Sequence, residues 1–441
     1  MKLIKGEYVY KPDIYDGVII MVEFRKPIPI GEAVSRIMAN SISGKTEYVS
    51  INESYGRFLS EDLLATEDVP HFDRAPYDGY AIRSVDTANA NRENPVEFEV
   101  IDHIGAGLVT DKSVGPFQAV RIMTGAQMPA GCDAVVMLEL TQDTQREGKA
   151  YMTTKRMHKP GDNVSRRGED AKKGEVLVGK GTKINPGIQA MLATFGYAEV
   201  PVAVKPKVGL FATGTELLAV DEPLEPGKIR NSNSYMISAQ MERVGAEVHY
   251  FGTLPDDFDT CFEAVKEAVE KVDILVTTGG VSVGDFDYLP AIYEKLGADV
   301  LFNKVSMRPG SVTTVAYYHG KTLFGLSGNP SACYVGFELF ARPVIRTMLF
   351  SPKPHLRKEK AILTVDFLKA NPFTRFVRSE LSISEGKLVV SPSGLDKSNI
   401  VMSLAGANSL TVLPGGTRGF KAGDEVEVLL LEDHEGSKWP W

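Results

Sequence analysis

The chain has 441 residues, a formal net charge of −8 at pH 7, 43% hydrophobic and 24% charged residues, and 41 glycines. At roughly 100 to 200 residues per domain this length calls for two to four domains, and the composition excludes a disordered, collagen-like or membrane chain. The acidic balance argues against nucleic acid as a partner, so an anionic ligand would need a local site.

No apolar run approaches the roughly 18 residues of a membrane span, and no signal core opens the chain. The expected address is the cytoplasm. Cys132, Cys261 and Cys333 are too far apart for a Cys-x-x-Cys site and are expected to be buried thiols.

In chain order, residues 1–20 read as a polar-aromatic lead and are expected to be peripheral. The segment GEAVSRIMANSI sets Ala33, Val34, Ile37, Met38 and Ile42 on one helical face, which is core spacing. Residues 21–60 and 171–205 are expected to form an elongated helical and linker lobe. Between them, residues 61–170 carry short β-rich runs (YDGYAIRS, VEFEVIDHI, QAVRIMTGA, DAVVMLEL) separated by turns, the pattern of an inserted antiparallel β domain. The basic run at 155–183 reads as a solvated face.

From 206 to 352 the pattern alternates between strand and helix. KVGLFAT leads into a helix-like TELLAV, AEVHYFGTL precedes CFEAVKEAVEKV, VDILVTT precedes the loop GGVSVGDFD, and KTLFGL precedes GNPSACYVGFELFARPVI. Such alternation predicts βαβ units and a parallel-rich sheet covered on both faces. Residues 353–441 return to short alternating strands (AILTVDF, KLVVSP, NSLTVLP, DEVEVLLL) and predict a small barrel-like β domain. The fold class is a multidomain α/β plus β protein.

In open α/β sheets, ligands sit at the loops beyond the carboxyl ends of the strands. Three such loops are rich in glycine and polar residues: Thr213-Gly214-Thr215-Glu216, Thr278-Gly279-Gly280-Val281-Ser282-Val283-Gly284-Asp285, and Ser327-Gly328-Asn329-Pro330-Ser331. Glycine lets backbone approach a ligand, and amides at a helix start favour an anion. Asn329 as N-cap with Pro330 at the first helical position fits a helix opening.

Carboxylates fall at the same strand ends: Glu216, Asp256, Asp257, Asp285 and Asp287. Hard oxygens at loop tips suit Mg²⁺ shared with substrate phosphates, although Asp257 and Asp259 fit helix capping equally well. Lys304 and Arg308 are placed as phosphate or oxyanion clamps. The seven histidines lack zinc-hydrolase spacing, and no G-x-S-x-G elbow occurs.

The segments DVPHFDRAPYDGYAIR, AVRIMTGAQMP, DAVVMLE, RRGED, FATGTELL, GKIRNSN, TTGGVSVGDFDY and LSGNPSA, in that order, resemble the molybdopterin molybdenumtransferase family, the MoeA-type enzymes related to the gephyrin E domain. The match runs from about Pro27 to Pro414. It implies a central molybdopterin-binding-type domain, release of AMP from adenylylated molybdopterin, and insertion of molybdate at the pterin dithiolene with a divalent cation assisting. It also implies a homodimer with the active site between protomers, with other proteins of molybdenum cofactor synthesis as candidate partners.

Positions matching family site residues are Asp78, Thr124, Asp170, Glu216, Asp256, Asp287, Lys304, Arg308, Pro330, Arg378 and Ser398. On this reading some of Glu216, Asp256 and Asp287 supply the metal ligands, and Lys304 and Arg308 stabilise developing charge. Asp78, Thr124 and Asp170 come from the other protomer. Many members read K-P-G-K-P where this chain has Arg308-Pro309-Gly310-Ser311-Val312, and L-P-G-N-P where it has Leu326-Ser327-Gly328-Asn329-Pro330. Ser311 therefore offers only a neutral hydrogen bond where those members carry a cation. The competing readings are a non-catalytic gephyrin-like scaffold and a tungstate-inserting paralogue.

Overall fold

The structure is a computed structural model that describes residues 12–15, 18–21, 26–280, 288–432 and 438. The chain divides into two compact units: residues 62–179 with 187–198, and the remainder.

The larger unit is built on a six-stranded sheet. Strands Glu247–Leu254, Lys207–Thr213, Ile274–Thr278 and Lys321–Leu326 lie side by side in parallel, and Thr314–Tyr318 and Asp299–Phe302 complete one edge in antiparallel fashion. The central strands Lys207–Thr213, Ile274–Thr278 and Lys321–Leu326 read as near-continuous apolar runs because both faces are buried. Leu210, Val276 and Phe324 belong to one core, which includes Val34 and Ile37 of helix Ile30–Ala39, while Leu275 and Leu323 meet helices Phe258–Lys271 and Leu289–Leu296 on the other face. Helix Ile30–Ala39 thus packs into the α/β core.

The helix-like TELLAV reading is overturned. Leu217–Leu218 is a short strand paired with Ile229–Arg230, and the helix begins only at Ser232–Val244, where the Asn231 side chain accepts from the Ser234 amide. Gly245 ends it at φ 103°, a left-handed cap suited to glycine. The Asn329 expectation also needs correction in part: it occupies the N-cap position before Pro330, but its side chain makes no capping bond. Asp257 does cap its helix, accepting from the Thr260 amide.

Strands Arg357–Leu363, Thr374–Ser384, Lys387–Pro392, Ser409–Leu413 and Glu425–Leu430 close into a five-stranded barrel. Its interior holds Leu363, Val377, Val390 and Val428, while Phe376, Leu410, Val412 and Leu429 join the α/β core. Period-two alternation thereby gives one strand face to each core, and the shared core brings a barrel loop to the α/β strand ends.

The smaller unit carries a second six-stranded sheet. It is not wholly antiparallel as expected: Val96–Ile104 pairs in parallel with Gln118–Ile122, the long connection 105–117 supplying the crossover that parallel pairing requires. Cys261 and Cys333 are buried and Cys132 half-buried, all three as free thiols. No helix among the described residues is long and apolar enough to cross a membrane.

Candidate functional site

A cleft of about 980 Å³ opens at the carboxyl ends of the parallel strands. Its floor is made by the glycine loops. A side-chain carbon at Gly279 would lie 2.4 Å from Thr213 Oγ1, and one at Gly328 would lie 3.5 Å from Gly279 Cα. Gly279 and Gly280 adopt φ of 96° and 66°, a region costly for side chains. Glycine is therefore what lets the three loops converge. The Gly279 amide donates to Leu326 O at 2.9 Å, and Asn233 Nδ2 donates at 2.8 Å to both Thr278 Oγ1 and Gly328 O.

Glu216 and Asp256 form an acidic side of the cleft. The Thr215 hydroxyl donates to Asp256 Oδ2 at 2.8 Å, and Lys228 Nζ donates to Thr215 O at 2.5 Å. Among the described residues no cluster of three metal-ligating side chains forms. Ser282, Gly284, Asp285 and Asp287 lie outside the described residues. Two carboxylates nevertheless fit the donor set of Mg²⁺, which takes one or two such ligands and fills the rest with water and phosphate oxygen.

The opposite side is basic. Arg308, Arg375 and Lys397 line it together with Ser398 and Asn399. Arg378 lies behind it, 2% exposed, with Nη1 donating to Asp396 Oδ1 at 3.0 Å and Nη2 to the carbonyls of Leu395 and Lys397. Burial pulls its pKa down and Asp396 offsets that. From the α/β side, the amide of Ser331 donates to Ser398 O at 3.0 Å and its hydroxyl to Ile400 O at 2.6 Å. The loop is held from both sides.

Of the expected residues, Thr213, Gly214 and Glu216, then Gly279 and Gly280, then Arg308, Ser327, Gly328, Asn329 and Ser398 line this one cleft, as does Asp256. Lys304 is half-buried and outside that lining, its carbonyl accepting from the Ile28 amide at 3.1 Å. Pro330 turns to a neighbouring apolar groove with Tyr334 and Met402.

In the smaller unit, Asp78 Oδ1 accepts from the Thr124 amide at 2.7 Å and from its hydroxyl at 2.8 Å. The amide bond first, then the hydroxyl, holds this carboxyl below its ordinary pKa. Asp170 is exposed in the same unit, its amide donating to Val69 O.

Three family models match the chain: the MoeA N-terminal region (domain I and II) over residues 28–196, the probable molybdopterin binding domain over 209–347, and the MoeA C-terminal region (domain IV) over 360–431. A molybdopterin molybdenumtransferase of Bacillus subtilis (strain 168) is 62% identical over 421 residues, 96% of this chain and 98% of the relative. The chain belongs to the MoeA-type molybdopterin molybdenumtransferase family.

A second relative of that name, from Staphylococcus aureus (strain COL), is 53% identical over 94% of this chain and 98% of its own length. A crystal structure of the molybdopterin biosynthesis moeA protein from Pyrococcus horikoshii OT3 aligns at TM-score 0.79 and 34% identity, over 92% of this chain and 100% of that one. The cleft lies between the segments matched by the molybdopterin-binding and MoeA C-terminal models.

Sequence reasoning missed Asn233, Arg375, Asp396, Lys397 and Asn399. Asn233 sat in the quoted GKIRNSN segment, where a second asparagine at a helix start could have marked it. The basic loop carried no such sign.

Proposed function

We propose that the chain acts as a molybdopterin molybdenumtransferase, taking adenylylated molybdopterin, releasing AMP and placing molybdate at the dithiolene. The observation that carries this reading is the polarity of one cleft, with glycine loops for a floor, Glu216 and Asp256 on one side, and Arg308, Arg375 and Lys397 on the other. Backbone amides and fixed cations hold phosphate and oxyanion charge where it develops. Glu216 and Asp256, with Asp287 as the third carboxylate of the family pattern, would hold Mg²⁺, whose chemistry is to neutralise the diphosphate and polarise the bond that breaks.

Ser311 lines the cleft between Arg308 and the glycine loops and contributes a neutral donor to an oxygen of the ligand. A homodimer, in which Asp78, Thr124 and Asp170 of one chain complete the partner's cleft, belongs to the same reading. So do a cytoplasmic setting and association with other proteins of the cofactor's synthesis. The resemblance supports these points.

The test is AMP release from adenylylated molybdopterin with Mg²⁺, run with molybdate and tungstate in parallel. Release that requires the oxyanion and stops with a chelator is the expected result. Nucleotide binding without release under any divalent cation overturns the reading. Mixing a Glu216→Ala chain with an Asp78→Ala chain should restore partial activity if sites form between protomers.

A further inference from the structure

The barrel strand Thr374–Ser384 pairs in parallel with Met307–Arg308, and in that register Arg308 stands directly opposite Arg375. Both line the cleft. Like charges directly opposite each other on paired strands are destabilising, so their persistence here calls for a compensating group.

Arg375 is 9% exposed and its orientation is fixed twice. Nε donates to Asn371 Oδ1 at 2.7 Å and Nη1 donates to Asp396 Oδ2 at 2.7 Å. Asn371, 1% exposed, is itself tied to Thr417 through its amide and its side chain. These bonds take up Nε and Nη1, and Nη2 makes no hydrogen bond among the described residues. Arg308 is exposed at the cleft and makes no ion pair among the described residues.

Among the described residues, the one carboxylate paired with this basic wall is shared. Asp396 meets Arg375 at 2.7 Å, Arg378 at 3.0 Å and Lys369 at 3.8 Å. Three cations thus divide one negative charge, leaving a net positive field beside Arg308 and Lys397. A planar guanidinium fixed at two nitrogens and open at Nη2 suits a charge-assisted contact with a tetrahedral oxyanion.

We propose that Arg375 is a specificity-determining residue that, with Arg308 across the strand pair, grips a tetrahedral dianion in the cleft, and that Asp396 and Asn371 are its positioning residues. The inference rests on the transferase reading above and deepens it. The dianion is either the free metal oxyanion or a phosphoryl group of the nucleotide substrate.

The experiment compares full-length wild type with Arg375→Gln, Arg375→Lys and Asp396→Asn, measuring AMP release while molybdate and adenylylated molybdopterin are varied separately. Arg375→Gln should raise one KM about tenfold or more, the loss expected for a charge-assisted contact, with kcat changed much less. A rise for molybdate identifies the free oxyanion, and a rise for the nucleotide substrate identifies the phosphoryl group. Arg375→Lys should not restore the wild-type value, because it keeps the charge and loses the fork. Asp396→Asn should shift the same KM in the same direction.

Calorimetric titration of molybdate and of sulfate into wild type and each variant separates failure of this inference from failure of the transferase reading. If wild type releases no AMP yet binds a dianion that Arg375→Gln no longer binds, the transferase reading falls and the anion site stands. Unchanged KM values and unchanged dianion binding in a folded Arg375→Gln protein overturn the inference. So does a fall in kcat alone. If Arg375→Gln lacks a cooperative thermal transition, Arg375→Lys carries the same comparison.

Discussion

The Glu216 carboxylate folds back against Gly214, so that a side-chain carbon at 214 would sit 2.3 Å from Glu216 Oε2. Gly214 also holds φ of 134°. A methyl group there must push the carboxylate away and strain the backbone. Gly214→Ala should cost about 1 to 2 kcal/mol of stability and lower kcat/KM for AMP release roughly tenfold or more, through the displaced carboxylate. Because both changes act on one group, Gly214→Ala combined with Glu216→Gln should be little worse than Glu216→Gln alone. Kinetics and thermal melting of the three variants check this.

Asn233 ties two loops that approach the cleft from different strands, through the paired 2.8 Å bonds to Thr278 Oγ1 and Gly328 O. Removing it leaves a backbone carbonyl and a hydroxyl short of a donor in a buried place. Asn233→Ala should lose about 1 to 3 kcal/mol in urea unfolding and raise the substrate KM. Asn233→Asp should be worse than Ala, because a carboxylate oxygen would then face the Gly328 carbonyl beside an anion-binding loop.

The same residues explain what the sequence could and could not reveal. Strands such as Ile274–Thr278, buried along their length, announce themselves as apolar runs. The glycine loops are legible because close backbone approach leaves little alternative to glycine. The six residues of TELLAV cannot distinguish a helical stripe from a short strand, and the pairing with Ile229–Arg230 decides it. Arg375 and Arg378 are three apart on one strand and should point to opposite faces. Nothing local indicates that both reach Asp396, which returns to them across a turn some twenty positions later.

His355 is 4% exposed. Burial, with the nearby positive charge of Arg342 second, pushes its pKa down from 6.5 to about 4. Its neutral form is therefore preferred in the fold, while the unfolded chain takes up the proton near pH 6.5. Stability is complete above that pH and falls as the solution is acidified toward pH 4, because there the unfolded state binds more protons. The loss attributable to this group reaches roughly 3 kcal/mol at the acid end. Urea unfolding across pH 4 to 7 should show that slope in wild type, and His355→Gln should flatten it.

Glu338 has a fully buried side chain whose Oε1 accepts from Gln240 Nε2 at 2.6 Å and from Arg243 Nη2. Its Oε2 lies 3.7 Å from Arg342 Nη1. The pair with Arg243 joins helix Ser232–Val244 to the π-helical turn Phe337–Ala341, behind the loops that form the cleft. Removing Arg243 leaves buried Glu338 with Gln240 and the more distant Arg342 only, so Arg243→Ala should lose about 1 to 3 kcal/mol. Replacing both by apolar residues of similar volume, as in Arg243→Met with Glu338→Leu, should recover only part of that loss, because the desolvation of two charges is relieved while buried Arg342 and Gln240 lose an acceptor. Denaturant midpoints of the two variants give the comparison. AMP release per folded molecule should stay near wild type in the double variant, since neither side chain lines the cleft, and a large fall in it would mean that the ion pair sets the position of the glycine loops.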